Sequence, residues 1–170
     1  MKKIGITGRI GSGKSTICQV FEHLGIPIYY SDIQAKASYK TNFIKSQMRL
    51  IYGDKIFSSS QEIDLKKLSE IVFQCPEEMQ KVNKIVHPYI EQDFLLWCKQ
   101  QKAPYVLFES ALIYSTELKL SFDDIIFVNT PLEELIQRVQ IRNNLTIEEV
   151  KQRLVHQQIS EEKIQSSKYI

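Results

Sequence analysis

The sequence predicts an α/β protein built on a parallel sheet with helices on both faces. Three observations predict it. An apolar first strand runs straight into a glycine-rich turn and a helix; short apolar runs then keep alternating with helical patterns; and the third of those runs is almost continuously apolar, as a strand buried on both faces is. The 170 residues suffice for one domain of ordinary size, and 43% hydrophobic with 25% charged residues is a soluble, globular composition.

The elements follow in order. "KKIGIT", 2–7, is a short, buried, central strand. In "KSTICQVFEHLG", 14–25, apolar residues at 17, 20, 21 and 24 make a helical stripe, and Gly25 closes the helix. "IPIYY", 26–30, reads as a second strand, and "SDIQAKASY", 31–39, as a helix with Ser31 or Asp32 to cap it. Residues 41–101 carry no convincing central strand. "NFIKSQMRLIYG" reads as a short helix and "IFSSSQEID" as a turn-rich link. "DLKKLSEIVF" and "CPEEMQKVNKIVHPYIEQDFLLWCKQQ" read as two more helices, the second kinked or interrupted at Pro88. This stretch is a helical insertion between strands.

"PYVLFES", 104–110, and "FDDIIFVNT", 122–130, are the third and fourth strands. "PLEELIQRVQIRNN", 131–144, is a helix with proline in its first turn and acids early. "TIEEVKQRLVHQQIS", 146–160, opens on a capping box, Thr146 with Glu149. The tail "SSKYI" starts like another strand and stops at once.

A net charge of +2 gives no support to nucleic-acid binding by bulk electrostatics. Cys18, Cys75 and Cys98 are widely spaced, and His23, His87 and His156 complete no metal-ligand pattern with them, so free thiols in a reducing compartment are expected. The apolar start is too short and glycine-rich for a signal peptide or a membrane span. The expectation is a cytoplasmic protein with no nucleic-acid or membrane partner. With no heptad repeat it is a monomer by default, a homo-oligomer staying open.

Gly8, Gly13, Lys14 and Ser15 fit G-x-x-x-x-G-K-[ST]. Glycines let the backbone curl until successive N–H groups point inward, and the following helix adds its terminal amides and dipole. Lys14 reaches terminal phosphates, and the Ser15 hydroxyl is placed for magnesium. The loop as a whole, Gly8, Ile10, Gly11, Ser12, Gly13, Lys14, Ser15 and Thr16, is the candidate ATP site. A dinucleotide fingerprint is excluded, because Gly8, Gly11 and Gly13 run G-x-x-G-x-G.

The loop alone fits ATPases, GTPases and small-molecule kinases. No guanine-reading N-K-x-D and no D-x-x-G occurs, and a small chain with a helical insertion suits a metabolite kinase whose insertion holds the acceptor. Asp32, after the second strand, is the candidate to take or orient the acceptor's hydroxyl proton, with a helix N-cap as the plain alternative. Glu109 ends the third strand, where an acid holds magnesium through water, pairs with a base, or is merely solvated. Arg138 and Arg142 share one helix face and suit a triphosphate, or equally a solvent-facing helix with Glu134 beside Arg138. His87 reads better as a cap or packing residue than as a catalyst. Tyr89, Phe94, Trp97 and Phe108 read as core or pocket wall.

The ordered series "IGITGRIGSGKST", "GIPIYYSDIQAKA", "LSEIVF", "VNKIVHPYI", "LFESALIY", "IIFVNTPLEELIQRVQIRNNLTIEEVKQRL" and "HQQISEEK" resembles the dephospho-coenzyme A kinase family nearly end to end. The resemblance implies transfer of the ATP γ-phosphate to the ribose 3′-hydroxyl of dephospho-CoA, with Mg²⁺. It implies a P-loop fold of the nucleoside-monophosphate-kinase type, with a five-stranded parallel sheet, a helical substrate domain and a small lid. The nucleotide-binding core would be residues 1–40 and 102–170, the lid about 138–150, and the acceptor-binding insertion 41–101. Asp32, Lys14 and Arg138 would be catalytic, Arg142 would face ATP, and Asp32, Lys36, His87 and Glu109 would meet the acceptor. Magnesium would sit on Ser15 directly and on Asp32 or Glu109 through water. Another small-metabolite or nucleotide kinase, or an ATP-binding relative without catalysis, are the alternatives.

The sequence departs from the family pattern in places. Arg9 stands for a glycine, and Tyr30-Ser31-Asp32 for D-A-D. Leu65 stands for the arginine of L-D-R, Ser115 for the glutamate of L-L-F-E, and Leu135 for a glutamine. Lys168 stands for an aspartate in the region that would supply the last strand and part of the adenine pocket.

Overall fold

The computed structural model describes residues 1–72, 75–114, 120–155, 161–165, 167 and 169. They divide into two units, residues 1–31 with 98–170, and residues 32–97.

The first unit is the sheet. Strands β1 (Lys2–Thr7), β2 (Ile28–Tyr30), β3 (Tyr105–Glu109) and β4 (Asp124–Phe127) lie in the order β2-β3-β1-β4. Every pairing is parallel. Register brings the carboxyl ends together: Glu109 lies opposite Ile6 and Tyr30, and Phe127 opposite Thr7. The central residues are fully buried, Ile6, Val106, Leu107 and Phe108 all at 0% exposure, which explains the unbroken apolar run of β3. Phe108 stacks on Tyr29 at 5.5 Å and packs against Phe122 at 5.4 Å.

The described residues build four strands, not the five expected. Beside β4 the described residues show one parallel bridge, Ile126 with Tyr169, made by Phe127 N–H donating to Tyr169 O at 2.8 Å and Tyr169 N–H to Ile125 O at 3.4 Å. A single bridged pair among the described residues does not make a strand.

Helix α1 (Lys14–His23) follows β1. It ends as Gly25 predicts: Gly25 N–H donates to Glu22 O and Ile26 N–H to Phe21 O, with Gly25 at φ 79°. Its buried face is not the expected stripe. Cys18 is fully buried with Lys14 one turn before it, while Val20 and Leu24 stand 57% and 71% exposed. The loop, by drawing Lys14 inward, sets the rotation of the helix and turns two apolar residues to solvent.

Beyond β4, α6 (Leu132–Asn143) buries Leu135 and Val139, and α7 (Ile147–Val155) buries Val150. The capping box forms: Glu149 N–H donates to Thr146 Oγ1, and Thr146 N–H to Glu149 Oε2. A short α8 (Glu161–Gln165) follows. Ser115, Lys168 and most of "HQQISEEK" fall outside the described residues.

The second unit is helical, as the pattern of residues 41–101 predicts. It comprises α2 (Ser31–Ser38, its first residue in the sheet unit), α3 (Asn42–Tyr52), a 3₁₀ turn (Gly53–Ile56), α4 (Leu65–Val72) and most of α5 (Pro76–Lys99). Helix α2 starts at Ser31 itself, directly after β2. The link "IFSSSQEID" turns back on itself through one antiparallel bridge, Phe57 with Ile63. Asp64 Oδ1 accepts from the amides of Lys66 and Lys67 and so caps α4, which the sequence reading missed. Pro88 lies inside one continuous α5 rather than interrupting it. It is exposed, so the acceptor it leaves unpaired can be hydrated.

The opposite side of α5 is buried at Val82, Val86, Ile90 and Phe94, spaced four apart. Phe94 is 0% exposed and stacks on Trp97 at 6.1 Å. We expect Phe94→Ala to cost about 3–5 kcal/mol by leaving a cavity, read as a lowered midpoint in chemical denaturation.

Candidate active site

The strand order places a crevice at the carboxyl end of β1. The chain leaves β1 toward β2 on one side and returns from β3 to β4 on the other, the arrangement that opens a ligand site in a parallel sheet. The glycine-rich loop, residues 8–13, lies there.

Two glycines show why the loop must be bare. A Cβ on Gly8 would meet the Val128 carbonyl oxygen at 2.5 Å, and one on Gly11 would meet Val139 Cγ2 at 2.6 Å. Gly11 also needs its positive φ of 83°. Leu135, in place of the family's glutamine, is 1% exposed, with its carbonyl oxygen 3.2 Å and its Cδ2 3.6 Å from where a Gly11 Cβ would sit. An apolar side chain therefore backs the loop at this point.

Lys14 is buried to 8% exposure, and its Nζ donates to Gly8 O at 3.0 Å and Arg9 O at 3.2 Å. The loop's own carbonyls thus hold the ammonium at the mouth of the helix. A cavity of about 470 Å³ opens there, lined by residues 11–17 on one wall and by Arg138 and Arg142 on the other. Arg138 Nη1 comes within 3.9 Å of the Gly13 Cβ position. Arg138 also donates to Glu134 at 2.8 Å, the pair being about half exposed, so the solvent-facing reading of this helix holds for that contact. Arg142 donates to Asn143 Oδ1 at 2.9 Å. Three cations against one paired acid make the cavity a site for a polyanion.

The first-turn amides of α1 have no intrahelical acceptor, and the helix dipole favours negative charge in front of them. Ser12 Oγ borders the same cavity and is buried without a hydrogen-bond partner among the described residues. Ile17 completes the lining and was not foreseen in the sequence.

Glu109 ends β3 at 7% exposure, a buried acid rather than a solvated one. Its charge is felt by its neighbours. Burial first, then Glu109 and Glu22, push the Cys18 thiol up to about 12, against the opposing pull of Lys14. Burial thus keeps Cys18 in its neutral thiol form. Tyr30 is also raised, by burial, then by its hydrogen bond to Glu22.

Asp32 and Lys36 are exposed on α2, four residues apart, and His87 is half-buried on α5. These three belong to the helical unit, and Lys14, Glu109 and both arginines to the sheet unit. Leu65, in place of the family's arginine, opens α4 at 45% exposure.

The dephospho-CoA kinase family model (CoaE) matches residues 2–170. The chain belongs to the dephospho-CoA kinase family. It is 31% identical to the dephospho-CoA kinase of Bacteroides fragilis strain YCH46, over 99% of this chain and 82% of that protein. Among solved structures it is similar to TT1252 from Thermus thermophilus, with a TM-score of 0.87 and 28% identity over 99% of this chain and 86% of that one. The Campylobacter jejuni dephospho-CoA kinase superposes with a TM-score of 0.65 at 26% identity, over the same shares of the two chains. The α/β P-loop kinase fold with a helical insertion is thus common to this chain and its relatives, as is ATP-dependent phosphoryl transfer. Among the described residues no helix is long and apolar enough to cross a membrane.

Ser15, the candidate hydroxyl donor for magnesium, is exposed and lines the cavity beside Lys14. An oxygen donor beside a phosphate site is the chemistry that suits magnesium.

Proposed function

We propose that this protein transfers the γ-phosphate of ATP to the ribose 3′-hydroxyl of dephospho-CoA, giving CoA and ADP. The observation that carries the reading is the cationic cavity at the glycine-rich loop, with Lys14 held by Gly8 O and Arg9 O and facing a wall that bears Arg138 and Arg142.

The loop residues Gly8, Ile10, Gly11, Ser12, Gly13, Ser15 and Thr16 cradle the phosphates, mainly through backbone amides. Lys14 and Arg138 balance the charge that spreads over the γ-phosphoryl oxygens as its bond to the ADP oxygen breaks and the bond to the acceptor oxygen forms. Arg142 neutralises the remaining triphosphate. Asp32 takes or orients the proton of the attacking hydroxyl. Lys36, His87 and Glu109 bind the acceptor, with the helical insertion, residues 41–101, as its platform. Ser15 would hold magnesium directly, and Asp32 or Glu109 would hold it through water. When bound, magnesium neutralises phosphate charge and orients the triphosphate. Residues about 138–150 act as a lid whose closure keeps water from competing with the alcohol. The reaction is a cytoplasmic one carried out by a monomer, and Cys18, Cys75 and Cys98 are free thiols, as a reducing compartment keeps them.

Incubating purified protein with ATP, Mg²⁺ and dephospho-CoA tests this. CoA and ADP are expected to appear in equal amounts, followed by mass spectrometry and a coupled ADP assay. ATP binding without CoA would identify a relative that has lost catalysis, and phosphorylation of another alcohol would redirect the substrate assignment.

A further inference from the structure

The connection between β4 and α6 touches the phosphate loop at a point the kinase reading leaves unexplained. Thr130 Oγ1 donates to Ser12 O at 3.0 Å, across 118 residues of sequence. Ser12 itself is 4% exposed, and its own amide is spent on Arg9 O at 3.1 Å. The same connection supports the loop at Gly8, where the Val128 carbonyl leaves no room for a Cβ, and Val128 N–H donates to Thr7 O at 2.7 Å.

The consequence follows from peptide geometry. The Ser12–Gly13 bond is trans, as are all described peptide bonds, so the Ser12 carbonyl and the Gly13 N–H lie in one plane and point in opposite directions. Thr130 holds the carbonyl on the β4–α6 side. That turns the Gly13 N–H away from Thr130, and Gly13 is among the residues that line the cavity. Gly13 is also the N-cap of α1 at φ 91°, and its φ, one of the two torsions that flank this peptide, has a glycine's freedom. Without the hydroxyl, nothing among the described residues holds the Ser12 oxygen against a flip. A flipped peptide would present a carbonyl oxygen, instead of an N–H, to an anion in the cavity.

We propose that Thr130 is a positioning residue for phosphoryl transfer: by holding the Ser12 carbonyl it aims the Gly13 amide at the phosphates of the bound nucleotide. It touches neither substrate itself. The proposal rests on the cavity being the ATP site, and nucleotide binding can be measured whether or not CoA is formed.

The test compares wild type with Thr130→Val, which keeps shape and loses the hydroxyl, and Thr130→Ser, which restores it. ATP and ADP affinities are measured by calorimetry, steady-state constants for both substrates by the CoA assay, and unfolding midpoints alongside. Thr130→Val is expected to weaken ATP and ADP binding about tenfold, the scale of one hydrogen bond, and to lower kcat/KM for ATP at least as much. The KM for dephospho-CoA is expected to stay near the wild-type value, and Thr130→Ser to recover most of the loss. If Thr130→Val fails to fold, Thr130→Ala takes its place under the same criteria. Unchanged nucleotide affinity overturns the proposal. So does a serine variant as weak as the valine variant, or an acceptor KM that moves in step with that for ATP. Failure of wild type to make CoA while binding ATP would instead strike the proposed reaction and leave the Thr130 comparison standing.

Discussion

Lys14→Ala is expected to lower kcat for CoA formation roughly a hundred- to a thousandfold, the scale of removing one preorganised donor from a site where charge develops. Two effects add in this variant. The ammonium is lost from the phosphate cavity, and Gly8 O and Arg9 O lose the donor that ties them together. The second effect acts on the ground state as well, so the dissociation constant for ATP rises too. The separation is kinetic: single-turnover rates at saturating ATP report the transition-state loss alone, whereas kcat/KM reports both. Lys14→Arg does not rescue, since a planar fork cannot replace a compact ammonium seated between two carbonyls. A Lys14→Ala enzyme that turns over at the wild-type rate once saturated would confine this lysine to binding.

The phosphate loop was legible in the sequence because its chemistry dictates spacing. Bare glycines, an amine and a hydroxyl must fall at set intervals between a strand and a helix, whatever the rest of the chain does. Two helix ends were legible for the same reason, at Gly25 and at Thr146 with Glu149, where the deciding groups lie within a few residues of each other. The face of α1 was not. Val20 and Leu24 make a good apolar stripe by periodicity, but the loop draws Lys14 inward and buries Cys18 on the same side, and that rotation is a tertiary effect.

Long-range packing around the site was equally hidden. Nothing near Leu135 in the sequence says that it packs at Gly11; the sequence shows only a leucine where the family has a glutamine. In the fold it is a buried apolar support. The burial of Glu109 comes from register, since its strand lies between the ends of β1 and β2. Its sequence neighbours alone fit a solvated strand end just as well.

Asp32→Asn is expected to reduce CoA formation by about 10²- to 10⁴-fold, the range for losing a general base, while ATP affinity stays within about threefold of wild type. The asymmetry follows from where the residue stands. Asp32 belongs to the helical unit, whereas Lys14, Arg138 and Arg142 of the loop cavity belong to the sheet unit, so ATP affinity is expected not to depend on it. The substitution keeps size and removes charge. Because α2 starts at Ser31, Asp32 lies inside its first turn and is not the N-cap that the sequence also allowed. A purely structural role there, its charge meeting the helix dipole, predicts a different result: a stability decrease of about 0.3–1 kcal/mol with kcat kept in Asp32→Asn and Asp32→Ala alike, whereas loss of the base appears in kcat. An Asp32→Asn enzyme with the full wild-type rate would remove Asp32 from the chemistry and leave hydroxyl activation to another group.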